Sequence, residues 1–172
     1  MRMHKIIYFF LVLFALPSVT SYAQASKKAD KDMKNWRYEI EGIAEGKEGT
    51  YVVKIWTYSK KPKVAIEQAK KNAVHAIVFQ GYIGSGRVSS QPPIASSPGI
   101  EQEKADFFKA FFADGGTYMK YVSVSNDGSI DPDDMLNVGK EYKIGVVVSV
   151  RKEMLKKDLM AAGIIQSLNN GF

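Results

Sequence analysis

Tyr142-Lys143-Ile144-Gly145-Val146-Val147-Val148-Ser149-Val150-Arg151 is the stretch from which the rest of the fold follows. Tyr142, Ile144, Val146, Val148 and Val150 fall on one side of an extended chain, and Lys143, Gly145, Val147, Ser149 and Arg151 on the other. That two-residue period, carried by β-branched side chains, is the clearest strand in the sequence, and its apolar content places it at the centre of a sheet.

Upstream, Trp36, Tyr38 and Ile40 alternate with Arg37, Glu39 and Glu41, and Tyr51, Val53 and Ile55 alternate with Lys54, Trp56 and Tyr58. Glu45-Gly46-Lys47-Glu48-Gly49 supplies the turn between them, so the two segments read as an antiparallel hairpin. Pro62 then opens a helix that runs to about Gln80, with Gly81 as its cap. At 100° per residue, Ile66, Ala69, Ala73, Ala76 and Ile77 form one stripe. Glu67, Lys70 and Lys71 lie outside it. Alanines on that stripe imply close approach to a sheet.

Residues 81–100, rich in Gly, Pro and Ser, read as a long mobile loop. Helical spacing resumes from Glu101 to Ala113, where Phe107, Phe108, Phe111 and Phe112 serve as core. Tyr118, Lys120, Val122 and Val124 suggest a further strand, Asn126-Asp127-Gly128 a turn, and Lys152 to Leu168 a terminal helix. The expected fold is α+β, a two-layer sandwich in which a four-stranded antiparallel sheet carries helices on one face, in the order ββααββα.

The first 25 residues read differently. Met1-Arg2-Met3-His4-Lys5 is basic, and Ile6 to Leu16 are apolar without interruption. Pro17 follows, then small residues suited to cleavage after Ala23 or Ala25. The apolar run is roughly half the ~20 residues that a membrane-spanning helix needs, so residues 1–25 are expected to be a cleaved signal peptide, leaving no transmembrane span. Residues 26–35, rich in lysine, would be a flexible leader, and residues 36–172 a single domain. Periplasmic location or secretion follows. The chain has no cysteine, which excludes lipoprotein acylation, disulfides, thiolate metal sites and a cysteine nucleophile. Its formal charge of +6 falls by two, to +4, when Arg2 and Lys5 are removed, too modest an excess to suggest nucleic acid as a partner.

Few residue sets suggest chemistry. Beyond residues 1–25 the one histidine is His75, nine positions and 900° from Ile66, which places it opposite the apolar stripe and in water. No catalytic residue, cofactor or metal site is assigned. Asp127 to Asp134 lacks the first two ligands of a calcium loop, Ser123 and Ser125 standing in those positions, and reads as a turn followed by an Asp-Pro start. Gly81, Gly84 and Gly86 follow a helix, where a phosphate loop would precede one. Strand parity, in contrast, puts Trp56, Tyr58 and Tyr121 on the sheet face turned away from the helices, beside Lys54 and Arg37. An aromatic platform with basic flanks suits a sugar or a partner protein.

The hairpin and the following Ala65-Ile66-Glu67-Gln68-Ala69-Lys70-Lys71-Asn72-Ala73-Val74-His75-Ala76 resemble small α/β modules of bacterial envelope proteins. These include N-terminal domains of flagellar-assembly proteins and small outer-membrane lipoproteins, whose acylated cysteine this chain lacks. The resemblance covers about a quarter of the chain and implies a non-catalytic scaffold or interaction role. The expected function is thus a binding or assembly module of the envelope, with an envelope protein or glycan as partner. Its alternatives are a carboxylate-dependent enzyme acting on envelope glycan through Glu101, Glu103 or Asp106, and a calcium-stabilised adhesion protein.

Overall fold

A computed structural model describes residues 36–84 and 86–166. The expected signal peptide, 1–25, and leader, 26–35, lie outside the described residues. Eight-residue β1 (Tyr38–Glu45) and ten-residue β2 (Thr50–Ser59) pair antiparallel, Ile40 opposite Ile55, as the hairpin reading requires. Helix α1 (Pro62–Phe79) follows, and the short helices α2 (Ile100–Glu103) and α3 (Ala105–Phe111) replace the single helix expected over 101–113. Then come β3 (Val122–Val124), β4 (Met135–Val138), β5 (Glu141–Arg151) and α4 (Lys152–Ala161).

The sheet is antiparallel, with β5 paired to β2 along one edge and to both β3 and β4 along the other. It has five strands, not the expected four. The missed strand, β4, has four residues, too few to show a period, and its pairing is supplied by β5. A second difference lies just before β3. Residues Thr117–Tyr121 form a 3₁₀ helix, where alternation suggested a strand, and only Val122–Val124 are extended.

Helices cover one face of the sheet. Val53, Ile55, Ile144, Val146, Val148 and Val150 point into that layer and join Ala69, Ala73, Phe108, Phe111, Tyr118, Leu155 and Leu159 in one hydrophobic cluster. One polar pair crosses it: Thr57 Oγ1 donates to Gln68 Oε1 at 3.1 Å between β2 and α1. Among the described residues, no helix is long and apolar enough to cross a membrane.

The far side of α1 is also covered. Its last carbonyls accept bonds from the loop that follows, Ile94 N–H to Ile77 O at 3.0 Å and Ala95 N–H to Val78 O at 2.9 Å. A helix terminus leaves such carbonyls unmatched, so the loop completes α1 as well as leaving it. Lys71, expected on the outer face, is fully buried and 5.6 Å from the Tyr118 ring centroid. Burial lowers its ammonium to about 8, with Asp114 pulling the other way. Ile66, expected on the packed stripe, is only half-buried.

Candidate functional site

The sheet face turned away from the helices has an internal order of its own. Trp56 lies over Gly145: a Cβ built on that glycine would stand 3.1 Å from Trp56 Cζ3 and 3.1 Å from Asp134 Cβ and Cγ. A side chain there would require both neighbours to give by a few tenths of an ångström. The indole N–H donates to Glu41 Oε1 at 2.9 Å, while Lys54 Nζ and Lys143 Nζ sit 5.4 and 5.2 Å from the ring centroid. The guanidinium of Arg37 lies 3.7 Å above the Tyr58 ring. Those cations are themselves held. Lys54 meets Asp134 at 2.7 Å, Lys143 meets Glu39 at 2.7 Å, and Arg37 meets Glu141 at 2.7 Å.

Lys54–Asp134 is partly buried, whereas the other two pairs are exposed and add little stability singly, because water screens them and their side chains lose entropy. Their effect here is to fix two aromatic rings in place. On the same face, Leu136 pairs with Lys143 and Val138 with Glu141, and both aliphatic side chains are exposed, by 48% and 42%. Oriented aromatics, arginine and an apolar fringe are the ingredients of a protein-binding surface.

Four of the five residues assigned to this face, Arg37, Lys54, Trp56 and Tyr58, are therefore brought together. Tyr121 is not. It is buried on the helix side, its ring stacked on Phe111 at 6.0 Å and its hydroxyl donating to Asp158 Oδ2 at 2.7 Å. The strand parity that assigned it fails because Tyr121 ends a 3₁₀ helix. Gly145→Val tests the lattice: it should displace Trp56, break the Lys54–Asp134 pair and cost about 1–3 kcal/mol by chemical denaturation, with a shift in tryptophan emission.

A second cluster lies at the start of β1, and the sequence reading missed it. His75, expected in water, is 3% exposed. Its ring stacks on Trp36 with centroids 3.6 Å apart and planes 19° apart, and Phe79 and Phe112 close around it at 4.9 and 6.0 Å. Nδ1 lies 2.6 Å from the Tyr38 hydroxyl and Nε2 lies 3.2 Å from Glu101 Oε1. The tautomer that satisfies both has Tyr38 O–H donating to Nδ1 and Nε2–H donating to Glu101.

Burial lowers the imidazole to about 3 and so keeps it neutral. The same burial, with the Glu101 carboxylate nearby, pushes the Tyr38 hydroxyl far above the tyrosine range. Glu101 is raised by burial, partly opposed by a hydrogen bond from Trp36. With both ring nitrogens engaged, His75 has no site left from which to take a substrate proton, so the cluster binds elements together. Its sequence signal is Ala73-Val74-His75-Ala76-Ile77-Val78-Phe79, seven residues without a charged side chain, which a helix shows when it is covered all round.

Of the acidic candidates, Glu101 and Glu103 do not line one hollow. Glu101 opens onto a hollow of about 450 Å³ with Trp36 and Phe112, whereas Glu103 opens onto another with Ser96, Ser97 and Gly163. Asp131 caps the Asp133 N–H at 3.0 Å, and Asp134 is taken by Lys54. Among the described residues, no group of three acidic or histidine side chains is gathered closely enough to hold a metal ion. No protein-family model, curated protein or solved structure matches the chain.

Proposed function

We propose that this chain is an exported module of the bacterial envelope, periplasmic or secreted, that binds or assembles with another protein and catalyses no reaction. The observation that carries this reading is the sheet face left open among the described residues, on which Trp56 and Tyr58 are held by the protein's own cations beside exposed Leu136 and Val138. A surface whose side chains are fixed before the partner arrives gives up less entropy on binding. The signal-like first 25 residues supply the export part of the proposal. Glu101 and Glu103 open onto different hollows, which favours binding over glycan hydrolysis by that pair, a reaction that needs two carboxylates facing one bond.

Affinity capture from an envelope fraction tests it, with wild type beside Trp56→Ala and Tyr58→Ala. A partner retained by wild type should be lost from both variants, each substitution costing about 2 kcal/mol or more, some thirtyfold in Kd. Repeated recovery of nothing, or equal recovery by all three proteins, contradicts the proposal.

A further inference from the structure

The hollow beside the His75 cluster is lined by aromatic rings, Trp36, Phe108 and Phe112, and by the polar side chains of Glu101, Gln102 and Lys109. At about 450 Å³ it falls within the range of small-molecule sites, roughly 300–1,000 Å³. Two features mark it as built. The first is Glu101, whose Oε1 accepts from His75 Nε2–H at 3.2 Å, an anchor that leaves the carboxylate lone pairs to spare. The second is Trp36 itself, a bulky residue at φ 44°, in the left-handed region that disfavours such side chains. Backbone strain of that kind persists only where surrounding contacts enforce it, and it concentrates at ligand sites.

The chemistry of the walls selects among ligands. One carboxylate and one ammonium cancel, so neither an anion nor a cation is favoured by net charge. Glu101 accepts, Lys109 donates, and the Gln102 amide does both, which suits a ligand carrying many hydroxyls. Phe108 and Phe112 are buried, so half-buried Trp36 is the ring that meets a ligand, and it requires that the same ligand present an apolar face. We infer that this hollow binds a single pyranose ring of a neutral sugar, its C–H face against Trp36 and its hydroxyls on Glu101, Gln102 and Lys109. The site is separate from the sheet face, and neither proposal depends on the other.

Trp36 and Trp56 are the two tryptophans, so Trp56→Phe leaves Trp36 as the reporter. In that background, glucose, galactose, N-acetylglucosamine and their short β-linked oligomers are titrated against glucuronate and glucosamine as charged controls. A saturable change in Trp36 emission is expected for at least one neutral sugar at roughly millimolar Kd, as befits one ring. Tighter binding of an oligomer points to a glycan chain, and equal binding to free sugar as the natural source. Gln102 and Lys109 are exposed, so Gln102→Ala and Lys109→Ala should fold normally and weaken binding about threefold to tenfold each. Glu101→Gln should weaken it about tenfold or more. No saturable response to any neutral sugar, preference for the charged controls, or binding indifferent to Gln102→Ala and Lys109→Ala overturns the inference.

Discussion

Acidification from pH 6.5 towards pH 3 should strip the fold of several kcal/mol, and His75→Gln should flatten that loss. In the unfolded chain the imidazole takes a proton near its ordinary 6.5, whereas in the folded chain burial holds it down to about 3. Between those values the unfolded state binds the extra proton. Stability is therefore complete above pH 6.5 and falls as pH drops, at a slope approaching about 1.4 kcal/mol per pH unit. Glu101 opposes the trend, because its raised carboxyl takes up a proton more readily in the folded chain. Asp158 adds to the loss, since Lys120 and Tyr121 hold its carboxylate below the usual range. Urea denaturation at a series of pH values, on wild type and His75→Gln, isolates the histidine. The variant should be weaker at neutral pH, having lost the stack on Trp36, but its stability should depend less on pH. Parallel curves for the two proteins would show that His75 is not the buried neutral group described here.

The second large effect is expected at Gly81, just beyond the end of α1. Its φ is 67°, and a Cβ there would overlap the Gln91 carbonyl oxygen and stand 2.9 Å from Pro92 C and Pro93 N. Those are backbone atoms of the loop, itself tied to α1 through Ile94 and Ala95 and bridged by Tyr82 and Gln91. They cannot swing aside as a flexible side chain would. Gly86 is the matched control, with φ 61° and nothing within 4 Å of the same added carbon. Gly86→Ala should cost only the left-handed penalty, about 1–2 kcal/mol, and Gly81→Ala roughly 4 kcal/mol or more. Equal losses would mean that the loop does not rest on the end of the helix.

These predictions turn on features that the sequence reveals unequally. The central position of β5 and the β1–β2 hairpin were legible because eight or more alternating residues record a half-buried sheet surface, and turn residues bracket them. Parity then carried Arg37, Lys54, Trp56 and Tyr58 to one face. The same rule failed at Tyr121, because Tyr118 and Tyr121 are buried three residues apart, the repeat of a 3₁₀ turn. Strand β4 is too short to carry a period and exists through its partner. His75 was misplaced because a single stripe assumes one covered side, while α1 is packed against the sheet on one side and against Trp36 and Phe112 on another. What covers the second side comes from distant parts of the chain, and helical periodicity does not record it.

Site-specific photocrosslinking in cells that produce the protein tests the binding role of the sheet face most directly. Leu136, on that face, and Met154, on α4, are both exposed hydrophobic residues, at 48% and 41%, and each can be replaced by a photoreactive amino acid. The account predicts a discrete protein adduct from position 136, abolished by Trp56→Ala, and none from position 154. An adduct from position 154 with none from 136 would place the partner on the helical layer and contradict it.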